Sequence, residues 1–161
     1  MPEKRAADGG RTGAKITIAP LTGRDYEAMV ALWKAAGLTY RARGRDSLES
    51  IESQIKRPTA IYLKAVVREN GQDRIVGVVL GSHDGRRGWI NRLAVMPGFQ
   101  KRGVGGMLVE ELERRLAKLG LLLVAVQVDR GNIRSLRFFK GLGYRLHDDI
   151  HYLSKRKGDW A

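Results

Sequence analysis

The spacing of apolar and polar residues changes along the chain, and each spacing predicts one kind of element. Residues 16–19 alternate as in a short strand. Apolar residues then recur every three or four positions, which predicts a helix capped by Thr22 and ended by Gly37. A second helix of the same period is expected between Ser47 and Pro58, since serine favours the start of a helix and proline its end.

The middle of the chain predicts three antiparallel strands in succession. Residues 61–67, 74–81 and 88–95 are rich in β-branched and apolar side chains. Two turn signals, residues 69–73 with an Asn-Gly pair and residues 83–86 with an Asp-Gly pair, connect them. We therefore expect two consecutive hairpins.

The last third of the chain predicts two further helices and three strands. A glycine-rich loop at residues 100–106 enters a long amphipathic helix that Gly120 ends. Residues 121–128 are almost continuously apolar, which is typical of a strand covered on both faces. Asn132 opens another helix, ended by Gly141.

A final hairpin is expected from residues 144–146 and 150–153. The complete order of elements then indicates the fold class. The order predicts an α/β fold, a mixed and mainly antiparallel sheet flanked by helices. Residues 1–14 contain almost no apolar side chain and are expected to form a disordered basic tail. Residues 15–161 are then one domain.

Composition narrows the class of protein. The 161 residues include no cysteine, which excludes disulfides and thiolate metal sites, and no apolar run long enough for a membrane span. His147 and His151 would lie about 13 Å apart on an extended strand, so no metal site is predicted. A cytoplasmic protein is expected, because the first residues do not form a secretory signal.

The net charge of +13, from 30 Lys and Arg against 17 Asp and Glu, predicts attraction to polyanions. Nucleic acid, the ribosome and phosphate-bearing cofactors all fit such a field, and so does a solvated basic surface. No single block of the sequence carries the charge.

The glycine-rich loop is the segment with the clearest chemistry. A strand, a proline stop and the run Gln100-Lys101-Arg102-Gly103-Val104-Gly105-Gly106 lead into the long helix. The first N–H groups of a helix have no partner inside it and lie at its positive end, and glycine lets a ligand approach the backbone closely. A pyrophosphate is therefore expected here.

The spacing excludes two common phosphate loops, because no Gly-Lys-Ser/Thr follows and the pattern is not Gly-x-Gly-x-x-Gly. Gln-x-x-Gly-x-Gly between a strand and a long helix resembles the acyl-CoA loop of the GNAT superfamily. A second signature, Asn132-x-x-Ser135-x-x-Phe138-Phe139-x-x-x-Gly143-Tyr144, supports the same resemblance. Over residues 16–153 the chain is similar to small bacterial GNAT enzymes and to ribosomal-protein N-terminal acetyltransferases.

The resemblance implies an N-acetyltransferase in which an amine attacks the thioester of acetyl-CoA directly. It places the thioester beside residues 93–95, whose backbone N–H groups would bind the oxyanion. The residues that it assigns to the cosubstrate are Leu93, Ala94, Val95, Gln100, Lys101, Arg102, Gly103, Val104, Gly105, Gly106, Asn132, Ser135 and Phe139.

The proton-transfer groups depart from the family pattern. Many relatives have a tyrosine general acid where this chain has Phe139, and some have a glutamate base near the position of Trp89. The remaining candidates for catalysis are Tyr144, His83 and Asp84, although each also fits a structural role as a packed aromatic or a hairpin residue.

Three hypotheses remain open at this point. The first is an acetyltransferase that acts on a protein amine or a small molecule; the second is a nucleic-acid- or ribosome-binding module on the same fold; the third is a CoA sensor without turnover. Arg41, Arg43 and Arg45 lie between the first two helices, where they would suit an acidic acceptor or form a solvated loop. Exposed edge strands make a homodimer a further expectation.

Overall fold

Five strands form one sheet in the order β1-β2-β3-β4-β5 in a computed structural model that describes residues 14–158. The strands are β1 (Ile16–Pro20), β2 (Ala60–Glu69), β3 (Gln72–His83), β4 (Gly88–Val95) and β5 (Val124–Val126). Neighbouring strands are antiparallel except β4 and β5, which are parallel. The expected mixed, mainly antiparallel sheet is therefore confirmed, while the expected tail falls almost wholly on residues outside those described.

Two tight turns produce the predicted hairpins. Asn70 (φ 51°) and Gly71 (φ 78°) are both left-handed, which gives the turn the twist of its flanking strands. In the other turn Asp84 Oδ1 accepts the backbone N–H groups of Arg86 and Arg87, each at 2.8 Å. The three central strands are thus confirmed, with β2 and β3 longer than expected.

Two helices cover each face of the sheet. The helices α1 (Tyr26–Ala35) and α2 (Leu48–Ile55) lie on one face, and α3 (Val104–Lys118) and α4 (Ile133–Gly141) lie on the other. Ser47 caps α2 as expected, its Oγ accepting from Ser50 N at 3.2 Å. Thr22 caps a short 3₁₀ turn, Gly23–Asp25, that leads directly into α1.

Helix α3 approaches the sheet closely because three glycines lie beneath three of its leucines. A Cβ atom built on these glycines would come within 2.4–2.9 Å of a leucine methyl. The pairs are Gly77 with Leu108, Gly81 with Leu112, and Gly88 with Leu116. The leucines are four residues apart, so one stripe of α3 packs along the sheet and fixes where the helix begins.

The sequence predicted a strand at residues 121–128 that is buried on both faces, and this prediction is wrong in both its length and its burial. Only Val124–Val126 pair with β4, and Leu122 is 87% exposed. Strand β4 begins at Gly88, opposite Val124, so the residues before Val124 have no strand beside them.

The expected final hairpin at residues 144–146 and 150–153 is also wrong, since no strand follows α4 in the part of the chain up to residue 158. The backbone N–H of Tyr144 closes the end of α4 on Phe139 O at 3.0 Å, and Ile150 and Leu153 are exposed. A strand is stable only with a partner ladder, and the apolar pattern of these segments cannot supply one.

Candidate active site

A β-bulge divides strand β4 into two halves. Leu80 of β3 pairs with Arg92 and Gly81 pairs with Ile90, which leaves Asn91 as the extra residue. The first half pairs with β5 as far as Ile90. Bulges bend a strand and redirect its polar groups, so the second half, Asn91–Val95, leaves β5 and has an open outer edge.

The backbone of Leu93 and Val95 faces this open edge. Met96 N donates to Val76 O at 2.8 Å, so residues 94 and 96 direct their polar groups to β3. Successive residues of a strand alternate, and the N–H groups of Leu93 and Val95 therefore point away from β3. Neither N–H has a backbone acceptor among residues 14–158. They form a pair of donors at an open edge, whereas the N–H of Ala94, which was also expected to bind the oxyanion, is directed to β3.

The predicted glycine loop follows β4 directly. A 3₁₀ turn, Pro97–Phe99, ends the strand, and Lys101 (φ 60°) and Gly103 (φ 80°) are both left-handed. Gly103 is the N-cap of α3, and the first helical hydrogen bond is that from Met107 N to Gly103 O at 3.0 Å. The N–H groups before Met107 are consequently available at the positive end of α3.

Gln100 ties the loop to its surroundings. Its Nε2 donates to Val95 O at 2.9 Å, and its Oε1 accepts from Nη2 of Arg134 in the first turn of α4. Gln100, predicted to contact the cosubstrate, therefore also fixes the loop between β4 and α4. Sequence reasoning missed Arg134, because only the fold brings α4 to the loop.

The second signature lies beside the first. Asn132 caps α4 by accepting from Ser135 N at 3.1 Å, and both side chains are at the start of that helix. Phe138 reaches the start of α3, where a Cβ on Gly105 would lie 3.1 Å from its ring. Phe139, predicted to lie near the ligand, is only 5% exposed and packs edge-on against Phe138 and Tyr144. Of the two phenylalanines of α4, Phe138 is thus the one that reaches the glycine loop.

The segments that form this loop and α4 carry only positive charge. No acidic residue occurs between Asp84 and Glu110 or between Asp129 and Asp148. The exposed cations of these segments are Lys101, Arg102, Arg134 and Arg137. Backbone donors, a helix N-terminus and these cations together suit a ligand that carries several phosphates.

A buried ion pair lies on the opposite face of β4. Asp46 is 4% exposed, and its Oδ2 accepts from Arg41 N at 2.8 Å and lies 3.6 Å from Nη1 of Arg92. The Arg92 guanidinium also donates to Thr39 O and stacks 4.3 Å from the Trp33 ring centroid. Sequence reasoning missed this contact, because its partners are far apart in the chain.

Two of the three candidate proton-transfer residues lie away from Leu93. His83 is the last residue of β3, opposite Gly88, and Asp84 follows it in the turn, about 17 Å along the strand from Leu93. Hydrogen bonds from the backbone of Arg87 and Arg86 lower the pKa of Asp84 to about 2, so it is a weak base. The Tyr144 hydroxyl donates to Glu113 Oε1 at 2.5 Å, and burial and this carboxylate raise its pKa.

Comparison with known proteins identifies the type of domain. Residues 27–144 match the family described as the acetyltransferase (GNAT) family. The fold is similar to a Thermoplasma acidophilum PaiA N-acetyltransferase in complex with coenzyme A, at 20% identity and TM-score 0.72, covering 83% of this chain and 92% of that one.

Two further solved structures share the fold. The Acinetobacter baumannii aminoglycoside 6′-N-acetyltransferase AAC(6′)-Ih has 16% identity and TM-score 0.71, with 89% of this chain and 100% of that chain covered. The Escherichia coli ribosomal-protein-S18-alanine N-acetyltransferase has 20% identity and TM-score 0.65, with 80% of this chain and 77% of that chain covered.

Among residues 14–158, no helix combines the length and apolar character that crossing a membrane requires.

Proposed function

We propose that this chain, which belongs to the acetyltransferase (GNAT) family and uses acetyl-CoA as its cosubstrate, acetylates the primary amine of a protein, at an amino terminus or a lysine. The observation that carries the proposal is the open edge of β4 next to a cationic glycine loop. Its two outward N–H groups and the adjacent helix N-terminus suit a thioester carbonyl and a pyrophosphate, respectively.

The residues of the loop fit the phosphates of CoA. The N–H groups before Met107 would donate to the pyrophosphate, and Lys101 and Arg102 would add charge. A Cβ at Gly105 would lie 3.1 Å from the Phe138 ring, so glycine lets α4 pack closely against the start of α3. Asn132 and Ser135 at the start of α4 would add polar groups for the cosubstrate.

The N–H groups of Leu93 and Val95 would donate to the carbonyl oxygen as it gains negative charge. An α-amine has an ordinary pKa near 7.7 and is partly unprotonated at neutral pH, whereas a lysine amine near 10.4 needs a base. An amino terminus therefore makes the smaller demand on this site, because His83 and Asp84 lie away from Leu93 and the Tyr144 hydroxyl is bonded to Glu113.

The decisive test is calorimetric titration of the purified protein with acetyl-CoA and with CoA. We expect micromolar binding that is lost in Gly103→Glu/Gly105→Glu and in Lys101→Glu/Arg102→Glu, since both introduce negative charge beside the phosphates. Gly141→Glu, an exposed change with open space around it at the far end of α4, is the matched control and should bind normally. A folded wild-type protein that neither binds CoA nor acetylates any amine in a broad panel would contradict the proposal.

The net charge favours a second candidate function, contact with RNA or the ribosome. Binding to RNA that weakens steeply with salt and shows no sequence preference would reduce this candidate to general electrostatic attraction. Binding that persists at moderate salt, in a protein without transferase activity, would favour it over the enzyme.

A further inference from the structure

The segment between α1 and α2, residues 36–47, is fixed to strand β4. Asp46 is buried and holds the segment from within by accepting from Arg41 N, while Tyr26 Oη donates to Asp46 O at 2.7 Å. Arg92 of β4 reaches the same segment through Thr39 O and Asp46. We call residues 36–47 the α1–α2 loop; its position relative to β4 is set by tertiary contacts.

The outward charge of the α1–α2 loop is positive. Asp46 is the only acidic residue between Glu27 and Glu49, and its carboxylate is turned inward to Arg92. Arg43 and Arg45 are exposed, and within residues 14–158 neither guanidinium has a hydrogen bond or ion pair. The loop therefore presents two cations to solvent without an acid to neutralise them.

The α1–α2 loop that carries these cations contacts β4 at Arg92, next to Leu93. Arg45 directly precedes Asp46, which contacts Arg92, and Arg92 directly precedes Leu93. Burial lowers the pKa of Arg92 most, Asp46 opposes that effect, and the charge of Arg45 lowers the pKa further, which places that charge within electrostatic range of Arg92. The glycine loop and α4 lie on the other face of the sheet, so the α1–α2 loop borders this edge from the side opposite the glycine loop.

We propose that the acceptor is the amino terminus of an acidic peptide, whose Asp or Glu side chains bind Arg43 and Arg45 while its amine reaches the edge of β4 at Leu93. This inference rests on the proposed function and specifies its acceptor. Opposite charges would orient the peptide, and the same cations would repel an acceptor rich in amines.

The transfer balances without any further reactant. The acceptor nitrogen forms a bond to the acetyl carbonyl carbon, the carbon–sulfur bond breaks, and the electron pair of that bond leaves with sulfur. One proton of the amine ends on the CoA thiol, and an acceptor that arrives as ammonium releases a second proton to solvent. Arg43 and Arg45 take no part in these steps, since their role is to position the acceptor.

The experiment compares three peptides of equal length with the same first residue, Ser, followed by Asp and Glu, by Asn and Gln, or by Lys and Arg. With wild-type protein and saturating acetyl-CoA, we expect kcat/KM for the acidic peptide to exceed that for the neutral one by about tenfold. The difference should lie in KM and should shrink as salt is raised. The basic peptide should be the poorest acceptor.

Charge reversal in the α1–α2 loop provides the matched variant. Arg43→Glu/Arg45→Glu should lose or invert the preference, with KM for acetyl-CoA unchanged. Arg86→Glu/Lys118→Glu makes the same change of net charge at two exposed sites outside the loop and should keep the preference.

Two results would overturn the inference and spare the proposed function. One is transfer to the neutral or basic peptide that is as efficient as transfer to the acidic one; the other is transfer to lysine side chains of proteins but to the amino terminus of none of the peptides. Failure of the protein to bind acetyl-CoA or to acetylate any amine would instead overturn the proposed function itself.

Discussion

The two faces of the second half of β4, Asn91–Val95, are built in different ways. On the face of α3 and α4, one continuous segment, residues 93–106, supplies the edge N–H groups, the glycine turn and the helix N-terminus. On the face of α1 and α2, Arg92 contacts Thr39, 53 residues earlier in the chain, and the buried Asp46. The first is local backbone geometry, whereas the second is a side-chain contact between distant segments.

This difference has consequences for what each face tolerates. Backbone donors remain in place as long as the turn and the helix form, and neighbouring side chains can change around them. A buried charge depends on one partner, and removing that partner leaves the remaining charge without compensation. We therefore expect single substitutions to damage the α1–α2 face more than the glycine loop.

The largest expected effect comes from Asp46→Ala. Arg92 would lose its carboxylate partner while 84% of its side-chain surface stays covered, so we expect unfolding to become easier by about 3 kcal/mol. Urea unfolding measures the loss. Acetyl-CoA affinity, measured at a temperature where the variant is folded, should change less than about twofold, because the glycine loop does not depend on Asp46.

The exposed pair Arg68–Asp73 supplies the control. Its atoms are 3.5 Å apart and its side chains are 71% and 65% exposed, so Asp73→Ala should cost no more than about 0.5 kcal/mol. Equal effects of the two substitutions would refute the claim that burial makes the Arg92–Asp46 pair critical for stability.

The next effect concerns how α3 is held on the sheet. Gly88→Val should destabilise the protein by about 2 kcal/mol, because a Cβ there would come 2.4 Å from Leu116 Cδ1. Leu116 lies about 18 Å along α3 from Val104, so acetyl-CoA affinity should change less than about threefold. Adding Leu116→Ala should relieve the clash, giving a combined loss smaller than the sum of the two. Strict additivity would show that the helix does not rest on this glycine.

A smaller effect tests the glycine turn itself. Gly103→Ala places a side chain at φ 80° and should cost about 1 kcal/mol, measured by thermal unfolding. Gly98→Ala is the control, since that glycine has open space around it and no left-handed φ. If Gly103→Ala leaves the stability unchanged, the turn does not require glycine. That result would contradict the view that local backbone geometry builds this face.

An effect of similar size is expected for Tyr144→Phe. The variant loses the hydrogen bond from the hydroxyl to Glu113, which should cost about 1 kcal/mol. Because that hydroxyl is committed to α3, kcat should change less than about twofold. A fall in kcat of tenfold or more would restore Tyr144 as a catalytic acid and place a side-chain function on the α3 face.

Much of the fold follows from local signals in the sequence. The turn at Asn70-Gly71, the cap at Ser47 and the bounds of β4 were all correctly predicted, since each depends on residues within a few positions. The strand at 121–128 and the hairpin after Tyr144 were wrong because strand formation requires a neighbour. The apolar residues of a segment do not indicate whether a neighbouring strand is available to pair with it.

The candidate site likewise combines features that depend on nearby residues with features that depend on distant segments. The sequence alone determined the glycine loop, the helix that it opens and the second signature at Asn132, because backbone conformation and helix polarity depend on nearby residues. Only the tertiary structure decided that Asn91 opens the edge of β4, that Phe138 rather than Phe139 reaches the loop, and that Arg92 binds Asp46. Each of these depends on which distant segments pack together, since burial, register and charge pairing are properties of the assembled sheet and its helices.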